Sequence, residues 1–381
     1  MMDCSNRGTK NPLVVVSSLS PASSSNLPTY IEYALGDSVR VLQIYPKRNR
    51  IRTFYSLSKS FRLSKKRWSQ AYEKETEHTL ASWNRYSAQL IQYLGAIQSD
   101  AVVQVGLHFN SFPTEYSSLK CLYLHGTLSM VLSSRYNCDM WLPKPQEIEL
   151  WVKNEMETMA EADKIFLGAH HLKSHILEHY KIDPDKLVFV GTGTPPFPEL
   201  TSEDQSIGKQ PNPTILFVGK DFERKGGYIL LDAFNKVVKE VPKAELHIVG
   251  PRDIGKHITN NVFVHGQVKD RAFLRQLFLT SHVFVMPTLH DSFGFTFLEA
   301  MSFGLPCIGT NIFAIPEIIE NGKTGIVVPA FDSDALSEAL ITILENSELR
   351  IEMGKNGYAK YKKEFNWTAV GKRMRAHMNM G

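Results

Sequence analysis

Short apolar runs alternate with longer stretches of helical period along the whole chain. In the first half, residues 13–16, 39–44, 101–105, 121–124, 164–167 and 186–190 read as strands, and helical patterns fill 70–96, 146–161 and 170–179. Further on, 215–218 is an apolar strand, followed by a basic glycine-containing turn and by Leu230, Leu231, Phe234, Val237 and Val238 at helical spacing. Residues 283–286 form another buried strand, stopped by Pro287. Strands alternating with helices predict a parallel, doubly wound α/β sheet, and the pattern occurs twice. The stretch 195–213, rich in Pro, Ser and acidic residues, separates the two occurrences. The expected division is a Rossmann-like domain over 1–196, a linker over 197–212 and a second domain over 213–364.

Length supports that division, because 381 residues exceed what one core ordinarily organises and 43% apolar content suffices for two. No run of eighteen apolar residues occurs, and the opening residues lead into no signal-peptide core, so a cytoplasmic protein is expected. Cys4, Cys121, Cys138 and Cys307 are widely spaced without Cys-x-x-Cys, which points to free thiols rather than disulfides or zinc. The formal charge of +4 is uneven. Lys47, Arg48, Arg50, Arg52, Lys59, Arg62, Lys65, Lys66 and Arg67 fall in one segment without an acidic residue, leaving the rest at −5. Aromatic residues are interleaved there. Such a segment can lie on an anionic membrane, making the protein peripheral, can grip a polyanion such as a nucleic acid, or can be a solvated loop.

The chemistry concentrates in two turns. Asp291-Ser292-Phe293-Gly294-Phe295-Thr296-Phe297-Leu298-Glu299 places two carboxylates eight positions apart where strand gives way to helix, which is where open α/β sheets bind ligands. Amides of Gly294 to Thr296 at a helix N-terminus can hold a phosphate or hydroxyl, and the two carboxylates can accept from sugar hydroxyls. The second turn runs from Gly219 to Gly227, where glycines admit a close ligand and Lys220 and Lys225 supply charge against a diphosphate. The alternative for each is a capped helix or a solvated basic turn. Together they point to a nucleotide-sugar.

Residues 213 to 370 resemble the C-terminal half of a retaining glycosyltransferase of the GT-B fold, family 4. The resemblance rests on Gly219-Lys220 with Lys225-Gly226, and on Asp291 with Glu299. It continues through Leu298-Glu299-Ala300-Met301 with Gly304-Leu305-Pro306, Pro316-Glu317-Ile318, Asn321-Gly322 with Thr324-Gly325, and Phe365-Asn366-Trp367. Lys220 stands where the family usually has Arg, and Asp291 where it usually has Glu. The family's N-terminal glycine-rich loop is replaced by the serine-rich 17–25, its usual Ser by Ala169, and its Asn-Gly by Thr192-Gly193.

The resemblance implies two domains facing across a cleft, with a C-terminal helix over 365–381 packing back on the first. It also implies a transferase that moves a sugar from a UDP- or GDP-sugar to an acceptor hydroxyl with retention, with no cofactor and no metal. Glu299 would bind ribose, and Lys220 and Lys225 the diphosphate beside Gly219. Amides near Phe293, Gly294, Phe295 and Thr296 would hold phosphate and sugar, Asp291 a sugar hydroxyl, and the backbone at His265 and Gly266 the base. His125, at the carboxyl end of a strand, falls where the family often has a His facing the donor sugar, with His108 as the other candidate. His171 and His175, four apart without a metal-binding Glu pattern, read as surface. The competing functions are a glycosyltransferase that modifies nucleic acid, a nucleotide-sugar epimerase of related fold, and a silent sugar-nucleotide-binding protein.

Overall fold

The structure, a computed structural model, describes residues 13–17, 27–36, 39–43, 79–112, 117–133, 143–194, 211–255, 261–291 and 293–379. The basic segment 47–67, the serine-rich loop 18–25 and most of the expected linker lie outside them. The described residues fall into two compact units. The first takes its residues from within Met1–Gly168, Leu172–Gly191 and Val370–Gly381, the second from Ala169–His171 and Thr192–Ala369.

The first unit is built on strands β1 (Leu13–Ser17), β2 (Val39–Gln43), β3 (Ala101–Val105), β4 (Leu119–Leu124), β5 (Lys164–Leu167) and β6 (Leu187–Phe189). They form one sheet in the order β2-β1-β3-β4-β5-β6, parallel throughout. Its helices are α1 (Leu27–Leu35), α2 (Leu80–Leu94), α3 (Leu128–Leu132), α4 (Ile148–Glu161) and α5 (His171–His179). Every residue of β3 is buried, as expected of a central parallel strand covered on both faces. Of the expected helical stretch 70–96, residues 70–78 lie outside the described residues, and α2 occupies Leu80–Leu94. Thr79 accepts from the Ser82 N–H at 3.1 Å while the Ser82 hydroxyl accepts from the Thr79 N–H at 3.1 Å, a reciprocal cap that starts the helix at Leu80. Its buried side, Trp83, Tyr86, Leu90 and Leu94, follows the helical repeat.

The second unit repeats the plan. Strands β7 (Thr214–Val218), β8 (Glu245–Val249), β9 (Val262–Gly266), β10 (Val283–Met286), β11 (Cys307–Thr310) and β12 (Gly325–Val328) form a parallel sheet in the order β12-β11-β10-β7-β8-β9. Around it lie α6 (Gly227–Glu240), α7 (Arg271–Thr280), α8 (Phe295–Ser302), α9 (Ile315–Ile318), α10 (Ser333–Glu345) and α11 (Ser347–Glu364). Leu230, Leu231, Phe234 and Val237 of α6 enter one continuous core with Phe284, Phe297, Leu298 and Leu340. Each buried side chain of this size contributes about 1.5–3 kcal/mol. The order reverses between β7 and β10, so the loops leaving their carboxyl ends diverge and leave a crevice for a ligand. A last helix, α12 (Trp367–His377), begins in the second unit and continues into the first from Val370.

Candidate functional site

The turn after β7 and the loop after β10 meet at this reversal point. Gly226 is left-handed, with φ +75°, and a Cβ there would lie 1.8 Å from the carbonyl oxygen of Pro287, so only glycine lets the two backbones touch. Lys225, beside it, forms a direct ion pair with Asp291, and each side chain is only 13% exposed. Burial pulls the Lys225 ammonium below its ordinary value, against the opposing field of Asp291. Burial pushes the Asp291 carboxyl up, but the Lys225 charge and hydrogen bond, Arg224 and the Phe293 N–H outweigh it and hold it below the usual carboxylate range. The contact thus favours the Asp291 carboxylate, while burial works against the Lys225 ammonium. Lys220, by contrast, is exposed.

Helix α8 starts at Gly294, left-handed with φ +91°, where a Cβ would meet the Ile315 side chain at 2.6 Å. Its N-cap residue, Gly294, has no side chain with which to cap it, and Phe295 and Thr296 are half-buried on its first turn. Phe293 differs from the expected phosphate donor: its ring is buried and its N–H serves Asp291. One turn on, burial pushes the Glu299 carboxyl up to about 7, with Arg271 pulling it down. At the sheet edge, His265 Nε2 lies 3.0 Å from His247 Nδ1, and burial keeps both imidazoles below their ordinary value. The His265 side chain is thus engaged within the protein. The Gly266 carbonyl accepts from Gly250 N at 2.7 Å.

Arg224 was not legible as a site residue. Its Nη1 donates to the His290 carbonyl at 2.7 Å and its Nε to Asp221 Oδ2 at 3.3 Å, while its own carbonyl accepts from Leu289 N at 2.9 Å. A charged residue in a basic turn carries no sequence signal of such a contact, because its acceptor lies 66 positions away.

In the first unit, His125 follows β4. Tyr123 donates its hydroxyl proton to the Gly191 carbonyl at 2.8 Å, so at the 3.1 Å contact with His125 Nε2 it must accept, which puts the imidazole proton on Nε2. Burial pulls this imidazole down to about 3, so it is neutral. His108 is exposed, with its ring 6.4 Å from that of Trp151. Glu155, unremarkable in sequence, is buried, accepts the Tyr180 hydroxyl, and takes the Leu128 N–H at 3.1 Å.

The surface reading of His171 and His175 is corrected. Both are half-buried: His175 Nε2 lies 2.8 Å from the Ser129 hydroxyl, and His171 Nδ1 lies 3.0 Å from Glu317. The Glu317 carboxylate also accepts the N–H groups of His170 and His171, both at 2.6 Å, within the second unit. Among the described residues, no helix is long and apolar enough to cross a membrane.

Residues 201–360 match the family described as Glycosyl transferases group 1. The chain is 23% identical over 247 residues to the D-inositol 3-phosphate glycosyltransferase of Corynebacterium glutamicum, covering 59% of each protein. It is 32% identical over 165 residues to the phosphatidyl-myo-inositol mannosyltransferase of Mycobacterium leprae, covering 41% of this chain and 44% of that one. The matched stretches thus span about half of these relatives' lengths. An Anabaena protein solved in complex with UDP and glucose superposes with a TM-score of 0.62 at 14% identity, covering 97% of this chain and 99% of that chain, so the two share a fold. Two parallel-sheet α/β domains of the GT-B class, together with the match across 201–360, make this chain similar in fold, and in its second unit similar in sequence, to the group 1 glycosyltransferases.

Proposed function

We propose that the protein transfers a sugar from a UDP- or GDP-sugar to an acceptor hydroxyl with retention of configuration and without a bound metal. The observation that carries the reading is the enclosed Lys225–Asp291 pair at the carboxyl ends of β7 and β10, directly before a helix N-terminus whose N-cap is Gly294. A desolvated ion pair gains little net stability over apolar side chains, so its presence at this crevice is better accounted for by a ligand that uses both charges. In this reading the donor diphosphate draws Lys225 away from Asp291, and Asp291 then accepts from a hydroxyl of the transferred sugar. Lys220, exposed on the same turn, and the N-terminus of α8 add to the positive field. Glu299 accepts from the ribose hydroxyls, and the backbone at His265 and Gly266 faces the base. The acceptor hydroxyl attacks the sugar on the face the diphosphate leaves, and the departing phosphate oxygen takes its proton. His125, neutral with Nδ1 as its acceptor nitrogen, accepts a hydrogen bond from a sugar hydroxyl.

Lys225→Ala tests the assignment. A diphosphate that loses one charge-assisted hydrogen bond loses about 1.5–3 kcal/mol, a roughly 10- to 150-fold weaker affinity for free UDP or GDP in calorimetry. Lys220→Arg should keep wild-type affinity. A folded Lys225→Ala protein that binds both nucleotides as wild type would refute the diphosphate site. Product analysis on a panel of UDP- and GDP-sugars, in EDTA, separates the alternatives. An epimerase returns an altered nucleotide-sugar without an acceptor, and a silent binding protein returns the donor unchanged.

A further inference from the structure

We propose that Arg224 is a positioning residue of the donor site, holding the 288–291 loop and hence Asp291 in register with Lys225; the inference rests on the donor-site reading above. Two cross-links run side by side between the loops. Arg224 reaches His290 and Lys225 reaches Asp291, each 66 positions along the chain. The two links differ in kind. The link at Lys225 is made by two side chains that the reading assigns to substrate. The link at Arg224 ends on main chain, where no ligand competes for it.

That second link is two-sided. The Arg224 guanidinium donates to the His290 carbonyl at 2.7 Å, and in return its own carbonyl accepts from Leu289 N at 2.9 Å and from the Thr288 hydroxyl at 3.2 Å. Asp221, three residues earlier, accepts from Arg224 Nε at 3.3 Å and fixes the direction of the fork. Thr288 is tied in turn to the next strand, its carbonyl accepting the Thr310 hydroxyl at 2.7 Å. The guanidinium is 19% exposed, so solvent screens it little. When a diphosphate takes Lys225, Asp291 loses its direct partner. Arg224 stays on the same loop, keeps Asp291 aimed, and keeps a positive charge near it.

Neither simple replacement can reproduce this. Arg224→Lys keeps the charge but lacks a planar fork that can reach Asp221 and His290 together, and Arg224→Gln keeps a short planar donor but loses the charge. We expect both to lower kcat about tenfold while donor KM and the affinity for free UDP or GDP stay within about twofold of wild type, because the loss falls on an interaction made in turnover. Adding Arg224→Gln to Asp291→Asn should then cost about twofold or less, since the two residues act through one group. A structural role alone would give equal losses in both backgrounds. Equal losses would overturn the proposal, as would wild-type kcat in both single variants or a raised donor KM at unchanged kcat. If the Gln variant does not fold, Arg224→Lys carries the same cycle. A wild-type protein that binds neither nucleotide and turns over no UDP- or GDP-sugar would remove the donor-site reading itself, before any Arg224 variant is measured.

Discussion

Glu299 sits on the first turns of α8 with its carboxyl raised to about 7 by burial. Ribose hydroxyls are donors and favour the carboxylate over the acid. Affinity for free UDP or GDP is therefore expected to rise as pH increases through about 7 and to level off once the group is ionised. Titration calorimetry between pH 6 and 8.5 reads this directly, and Glu299→Gln should bind more weakly and without that slope. A slope that survives in the Gln variant would assign the titration elsewhere. A different residue-scale feature is Phe331, whose φ of +66° puts a bulky side chain in left-handed backbone while leaving it 56% exposed. Strain of this kind costs about 1–3 kcal/mol, and little packing offsets it here. Phe331→Gly should raise the urea midpoint, with a gain of about 1 kcal/mol after the added flexibility of glycine in the unfolded chain. An unchanged or lowered midpoint would show that the ring is held by contacts worth more than the strain.

At the scale of elements, Glu155 links helix α4 to the start of α3. It accepts from Leu128 N and from the Tyr180 hydroxyl, yet burial still pushes its carboxyl up to about 8. The unfolded chain ionises near the ordinary carboxylate value, so between that pH and about 8 the unfolded state binds fewer protons than the folded one. Stability should therefore be fully present in acid and fall as pH rises through about 8. Melting temperatures from pH 6 to 9 should drop more steeply for wild type than for Glu155→Gln, which cannot ionise. Parallel curves would show that Glu155 is already ionised at neutral pH. The helical repeat puts Glu155 on the same face as the buried Trp151 and Met159, but its partners, Tyr180 and the Leu128 N–H, lie on other elements that the repeat does not identify.

Across the whole chain, α12 returns the polypeptide to the first unit. Val370 and Met374 are fully buried, Arg375 Nη1 donates to the Leu35 carbonyl at 2.8 Å, and Arg373 Nε to the Val190 carbonyl at 2.6 Å. Truncation after Ala369 would remove the buried side chains of Val370, Met374 and Met378, uncover the apolar surface they pack on and leave those carbonyls unpaired, a loss of several kcal/mol, about 1.5–3 for each buried side chain. Hydrogen exchange on the truncated protein should show α1 and residues 187–190 losing protection while β7 and β8 keep theirs. Uniform protection would mean that the first unit holds without its last helix.

Much of this molecule was readable from local pattern. Runs such as 101–105, 164–167 and 283–286 are apolar because a central parallel strand is covered on both faces, and α6 shows its buried stripe through the helical repeat. Lys225, Asp291, Gly294 and Glu299 stood out as candidates because glycines and charges recur at short spacing beside two strand ends. Tertiary structure decided what no spacing encodes: that Lys225 and Asp291 neutralise each other, that Arg224 grips a carbonyl 66 positions away, that the Phe293 N–H serves Asp291, and that His171 and Glu155 are enclosed rather than solvated. The physical reason is common to all four. A side chain's period places it on a face of its own element, but its partner, its burial and hence its ionisation depend on which distant loop the sheet order brings beside it.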